Sequence, residues 1–301
     1  MGKKAALLLV ILALLLVAGG LLYRKAGHGG PRITAGTVRP AKPAPAGMPR
    51  TSETAAPGSA VATPPSETSE KKGSAPAQPG FTLRAGESLE YAANVTKLDS
   101  TIANLTIATT ERRNFFGKNG WHLQAFAHTE NPYRIVFELD DQFDSYSEAG
   151  SFASLQYEMH LNERGQKVDS VQRMVSSAAD PAPADATAAR VPAGTRDPLG
   201  FLQYLRGVDW SKTPEIKSAV YDGKKFYEVR AVLRGTGEAV KVPAGKYTAS
   251  KIEIHVYESG TEMKDAHFLL YLSNDAARLP VLLEAVLPFA SARVELSKAS
   301  Q

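Results

Sequence analysis

The strongest constraint on this chain is the alternation of apolar and polar residues in short runs that begin near Phe81. In "LQYEMHLNE", Leu155, Tyr157, Met159 and Leu161 alternate without exception with Gln156, Glu158, His160 and Asn162. A two-residue period sends successive side chains to opposite faces of extended backbone, so such a run is a strand with one buried and one wet face. Leu89, Tyr91, Ala93 and Val95 follow the same rule, as do Trp121, Leu123, Ala125 and Ala127. So do Tyr133, Ile135, Phe137 and Leu139 in "YRIVFELDD". Further alternating or apolar runs cover 101–112, 166–175, 216–234, 246–257, 266–273 and 280–296, separated by turn formers such as "KNG", "ERG", "YDGKK" and "VPAGK". The pattern predicts a mainly β domain of short antiparallel strands: a strongly curved sheet, a half-barrel or barrel, or a sandwich.

One segment has a different period. "RDPLGFLQYLRGVDW", residues 196–210, offers Asp197 as N-cap, Pro198 at the first helical position and Gly207 where a C-terminal glycine belongs. Leu199, Phe201, Leu202, Tyr204, Leu205 and Val208 sweep an apolar arc of roughly 220°. A helix near 197–207 with so wide an arc is expected to cap or plug the sheet, with Leu202 and Leu205 in the core. Arg206 falls inside the arc and is expected to snorkel or pair with a carboxylate, with anion binding as the other reading. The stretch 176–196 before the helix is linker-like and reads as a surface loop.

Composition changes at Phe81. Residues 1–80 hold ten of the nineteen prolines and a charge of +7, whereas residues 81–301 carry −3. The basic excess thus flanks a membrane segment and a linker instead of forming a stripe on the folded part, which argues against nucleic acid as a partner. Ala5 to Leu22 is an unbroken apolar or glycine run of eighteen residues between Lys3, Lys4 and Arg24, Lys25. That length is short for a spanning helix and long for a signal-peptide core, so residues 1–25 read as a signal anchor or a cleaved signal peptide. A "LVAGG" box has Gly20 where a lipoprotein would carry its acylated cysteine, and the chain has no cysteine at all. Residues 26–80, rich in Pro, Ala and Ser, read as a disordered linker with too little apolar surface to offset the entropy of ordering. The expected organisation is a membrane partner through residues 5–22, a linker over 26–80 and an exported β-rich domain over 81–301. The anchored form places 26–301 in the periplasm or outside the cell; cleavage would make the protein secreted.

"GESLEY" at 86–91, "DPLGFLQYLR" at 197–206, "YDGKKFY" at 221–227, "VPAGKYTASKIE" at 242–253 and "SNDAARLPV" at 273–281 resemble, in order, the motifs of domain-of-unknown-function family 3108 of exported bacterial proteins. The resemblance implies an envelope location and a β-rich domain similar to the half-barrels of periplasmic lipoprotein carriers. It implies no activity.

Catalytic motifs are absent: there is no Gly-x-Ser-x-Gly, no His-Glu-x-x-His, no phosphate-cradling glycine loop and no cysteine nucleophile. Asp140, Asp141 and Asp144 lack the glycine and closing Glu of a calcium loop and read as a solvated strand end. Asp222 and Asp275 sit in turns, where a carboxylate commonly bonds the backbone. A turn centred on Thr261 would set His255 opposite His267 with Glu253 on the same face, but a zinc site needs three or four convergent ligands and the pair reads as exposed. No catalytic, cofactor or metal residue is therefore assigned. The expected function is a non-catalytic envelope domain that binds an apolar, lipid or wall ligand or a protein partner; the alternative is a wall-polysaccharide hydrolase with paired carboxylates.

Overall fold

The computed structural model describes residues 81–95, 100–176, 186–264, 267–286 and 291–300. The expected membrane segment 5–22 and linker 26–80 lie outside these residues, as does 177–185 of the insertion. Among the described residues no helix is long and apolar enough to cross a membrane.

The strands are β1 (Ser88–Val95), β2 (Thr101–Phe115), β3 (Lys118–Thr129), β4 (Asp140–Glu148), β5 (Ser154–Glu163), β6 (Gln166–Val175) and β7 (Thr187–Arg190). After the helix α1 (Pro198–Gly207) come β8 (Glu215–Tyr221), β9 (Phe226–Val242), β10 (Gly245–Glu258), β11 (Thr261–Glu262), β12 (His267–Ser273), β13 (Pro280–Val286) and β14 (Ser291–Ser300). They form one sheet in the order β7-β6-β5-β4-β3-β2-β1-β14-β13-β12-β10-β9-β8, with β11 paired to β10. Two runs of neighbouring strands, antiparallel except where β7 lies beside β6, are thus joined where the first strand meets the last, Tyr91 opposite Leu296 and Ala93 opposite Val294.

The alternation identified the inner face correctly. Leu89, Tyr91, Ala93 and Val95, then Trp121, Leu123, Ala125 and Ala127, then Leu155, Tyr157, Met159 and Leu161 are all buried. The sheet curves without closing, since its end strands β7 and β8 do not pair with each other. A strap between them bridges the gap. Thr195 O accepts from Ser154 N–H of β5 at 2.9 Å, while Arg196 N–H donates to Ala219 O at 3.0 Å and Arg196 O accepts from Tyr221 N–H at 2.8 Å on β8.

Every residue of α1 is buried. Asp197 caps it, accepting from Gly200 N–H at 2.9 Å, and Pro198 follows at the first position, where its missing N–H costs nothing. Gly200 allows the close approach to the strands: a Cβ there would lie 2.7 Å from Phe152 O.

Five local expectations are corrected. Tyr133–Ile135 is a 3-10 helix, not a strand, and Ile135 is 84% exposed. Its backbone groups are satisfied locally, Arg134 N–H by Glu130 O and Ile135 N–H by Pro132 O, so the alternating side chains find no sheet partner. The "DDQFD" segment is not a solvated strand end: it opens β4, and Asp141 and Asp144 are both only 3% exposed. Gly207 is the last helical residue and Val208, extended at φ −70° and ψ 135°, forms the C-cap, so no left-handed glycine ends α1. The turn expected at "KNG" falls two residues earlier, at Phe116 and Gly117, whose φ values of 54° and 83° form the tight hairpin between β2 and β3. The 176–196 insertion, expected as a surface loop, contributes β7, which runs parallel to β6, and the buried Thr195 and Arg196.

Candidate functional site

The concave face is occupied by α1. Between the helix and the sheet lies a gap of about 40 Å³, walled by apolar groups such as Leu105, Ile107, Leu202, Leu270 and Val294. Arg206 of α1 is one half of a buried pair. Its Nη1–H and Nη2–H donate to Glu87 Oε1 and Oε2 at 2.6 and 2.8 Å, and further N–H groups reach Gln203 Oε1, Ala277 O and Arg278 O. The carboxylate-pairing reading of Arg206 holds. With its N–H groups directed at protein acceptors, the guanidinium serves structure, and removing either partner would strand a buried charge at a cost of about 3–5 kcal/mol.

A larger recess opens where the chain enters the domain. It has a volume of about 210 Å³, and Phe81, Trp121, Phe152 and Tyr204 form its aromatic walls. Arg112 stands at this recess with its guanidinium 5.4 Å from the Trp121 ring centre. Trp121 comes from β3 and Tyr204 from α1, so sheet and helix together fix the two ring planes. The arrangement combines flat apolar faces with one cationic group, a combination suited to an amphipathic ring or a carboxylate-bearing ligand.

The outer face of β3 to β6 carries a polar constellation. The register sets Gln124 opposite Asp144, Asp144 opposite Glu158, Gln142 opposite His160 and His160 opposite Asp169. Asp144 Oδ1 accepts from His122 Nε2–H and Gln124 Nε2–H, each at 2.7 Å, and Oδ2 accepts from Gln142 Nε2–H at 2.7 Å. Burial would raise the Asp144 pKa, but these three donors outweigh it and hold the carboxyl below its ordinary value. His160 Nδ1 lies 2.8 Å from Asp169 Oδ1 and Nε2 lies 3.5 Å from Glu158 Oε2. The bond to Asp169 is the main cause that raises the His160 pKa. Tyr146 stacks on the His122 ring at 4.6 Å and 6°, shielding one flank.

The histidine pair behaves differently. The β10–β12 register runs as far as Ile254 opposite Phe268, and beyond it β10 pairs with β11, Tyr257 opposite Glu262. The His255 ring is engaged by carboxylates, with Nδ1 2.7 Å from Glu262 Oε1 and Nε2 3.3 Å from Glu253 Oε2, while His267 is exposed. Asp222 and Asp275 are turn carboxylates as expected: Asp222 Oδ1 accepts from Lys224 and Lys225 N–H, and Asp275 Oδ1 from Ala277 and Arg278 N–H. The sequence reading missed the Asp144 constellation. Its signal was the polar residue pairs two apart, His122 with Gln124, Gln142 with Asp144 and Glu158 with His160, but only the register brings them together.

The model of the family described as "Protein of unknown function (DUF3108)" matches residues 90–297. The chain belongs to this family. The match spans the sheet from β1 to β14 and includes α1. No curated protein matches the sequence. Among solved structures, the DUF3108 chain is similar to a β-barrel-like protein of domain of unknown function DUF1849 from Brucella abortus, at 12% identity and TM-score 0.46, covering 73% of this chain and 99% of that one. It is also similar to a candidate lipoprotein from Parabacteroides distasonis, at 12% identity and TM-score 0.36, covering 73% and 98%. A third is a candidate exported protein with a YmcC-like fold from Bacteroides fragilis, at 10% identity and TM-score 0.33, covering 73% and 98%.

Proposed function

We propose that this DUF3108 domain is a non-catalytic binding module of the cell envelope, tethered through residues 5–22 and the 26–80 linker or secreted after cleavage, and that its ligand enters the aromatic recess at Trp121. The observation that carries the reading is the recess itself, four aromatic side chains and Arg112 around about 210 Å³. That volume is below the roughly 300–1,000 Å³ of pockets that enclose drug-sized ligands, so it would hold one ring or headgroup of a larger molecule. The gap of about 40 Å³ under α1 is too small for an acyl chain. A wall saccharide carrying a carboxylate fits better: its ring lies on Trp121 or Tyr204 and its charge meets Arg112. The hydrolase alternative draws no support from Asp144 and Glu158, which face each other on the outer face of the sheet and line neither the aromatic recess nor the gap under α1.

Native mass spectrometry of the full chain extracted from envelopes tests this reading. A co-purified mass matching wall glycan, lost in Trp121→Ala, supports it. A lipid adduct that persists in Trp121→Ala would move the binding site to the interior.

A further inference from the structure

We propose that Asp144, Glu158 and His160 form a binding site for one divalent transition-metal ion, with zinc as the ion the donor set fits best. One carboxylate oxygen from each acid and one imidazole nitrogen lie within 4.8 Å of one another on the outer face of β4 and β5. Drawn together around an ion, such atoms would sit at the roughly 2.0–2.2 Å ligand distances of zinc. Two carboxylates and an imidazole suit zinc or a neighbouring first-row ion better than calcium or magnesium, which prefer all-oxygen shells.

Three independent features of the fold support the site. The ladder places Asp144 directly opposite Glu158, a like-charge cross-strand pair that is destabilising unless a cation lies between them. Asp144 is nine-tenths buried with a side chain 5% exposed, and its oxygens accept hydrogen bonds from His122, Gln124 and Gln142. None of these donors is among the proposed ligands, so they form a shell that fixes the carboxylate from behind. Asp169 occupies His160 Nδ1, which leaves Nε2 facing Glu158 with its lone pair available in the neutral tautomer. An imidazole held by a carboxylate on its far nitrogen is the arrangement that orients metal-ligating histidines and raises their basicity.

Exposure rises from Asp144 at 5% through Glu158 at 17% to His160 at 37%, giving an ion a path from solvent and leaving its remaining positions to water. Open positions would let the ion accept a donor from a second molecule. This proposal is independent of the aromatic recess, which lies elsewhere in the fold. The competing arrangement is a protonated His160 bridging Glu158 and Asp169 with no metal, and the two differ in what zinc does.

The test is zinc titration of the untagged full chain after chelator treatment, by calorimetry at pH 7.5, with metal content measured after dialysis. The proposal expects one zinc per chain with a dissociation constant in the micromolar range or below. Glu158→Gln and His160→Ala, both at the solvent side and tolerant of change, should each weaken it at least 100-fold. Asp169→Asn should weaken it about 10- to 100-fold without removing a ligand. His255→Ala, at the other histidine–carboxylate cluster, should leave it unchanged. No saturable binding below 1 mM, or zinc binding that survives Glu158→Gln and His160→Ala, would overturn the site. So would loss of binding in His255→Ala alone.

Discussion

At the scale of single residues, buried acids set how the domain responds to pH. Asp141 faces inward at the start of β4, where Oδ1 accepts from Asn162 N–H at 2.9 Å and Oδ2 is buried without a hydrogen bond. Burial pushes its pKa up to about 6, and the nearby Glu163 and Asp140 add to this while the Asn162 bond opposes it. An acid whose folded pKa is raised binds its proton more tightly when folded, so its stabilisation is complete below about pH 4 and is lost as pH rises through about 6. Asp141→Asn keeps the acceptor for Asn162 and removes the charge. Chemical denaturation should show the variant more stable than wild type above pH 6 by roughly 1–2 kcal/mol, with the difference vanishing near pH 4. Asp197 is the contrasting case. It is fully buried, and burial raises its pKa, but hydrogen bonds from Ser145 Oγ–H, Ser154 Oγ–H and Gly200 N–H oppose the rise, so it works as a helix cap.

Elements were legible in proportion to how local their causes are. The N-cap and proline of α1 act within four residues, and the structure has them as the sequence indicates. Alternation fixed the inner faces of β1, β3 and β5 because the period is a property of the strand alone. It failed at Tyr133–Leu139, where the same period sits on a 3-10 turn, since periodicity reports which side chains share a face but not whether a partner strand exists. It also hid the Asp144 site, whose members come from four strands and meet only through a register set by tight turns such as Arg164–Gly165 between β5 and β6. The helix carries the prediction at this scale. Leu205 is 1% exposed and belongs to the hydrophobic core. Leu205→Ala should lower the unfolding free energy by about 2–5 kcal/mol, read from the shift of the denaturation midpoint at constant slope. An unchanged midpoint would mean that α1 does not pack as described.

In the whole molecule, a curved sheet that would otherwise enclose a cavity is filled by its own helix and sealed at the gap by the Arg196 strap. Arg196 Nε–H donates to Ser151 O and Nη1–H to Ser218 Oγ, while its guanidinium lies 3.6 Å from the Tyr204 ring centre. One residue therefore ties β8, the β4–β5 connection and α1 together. In the proposed reading recognition falls to the recess, and its aromatic wall supplies the reporter. The chain has two tryptophans, and Trp210 is buried with Nε1–H donating to Leu205 O at 3.0 Å, so Trp210→Phe leaves Trp121 as the only tryptophan, excited selectively at the red edge of the absorption band. Fluorescence titration of that variant with soluble, carboxylate-bearing wall fragments tests the central claim directly. A saturable change in Trp121 emission that Arg112→Ala weakens at least tenfold is the predicted result; a silent Trp121 with wall fragments, or saturation by a fatty acid instead, would contradict it.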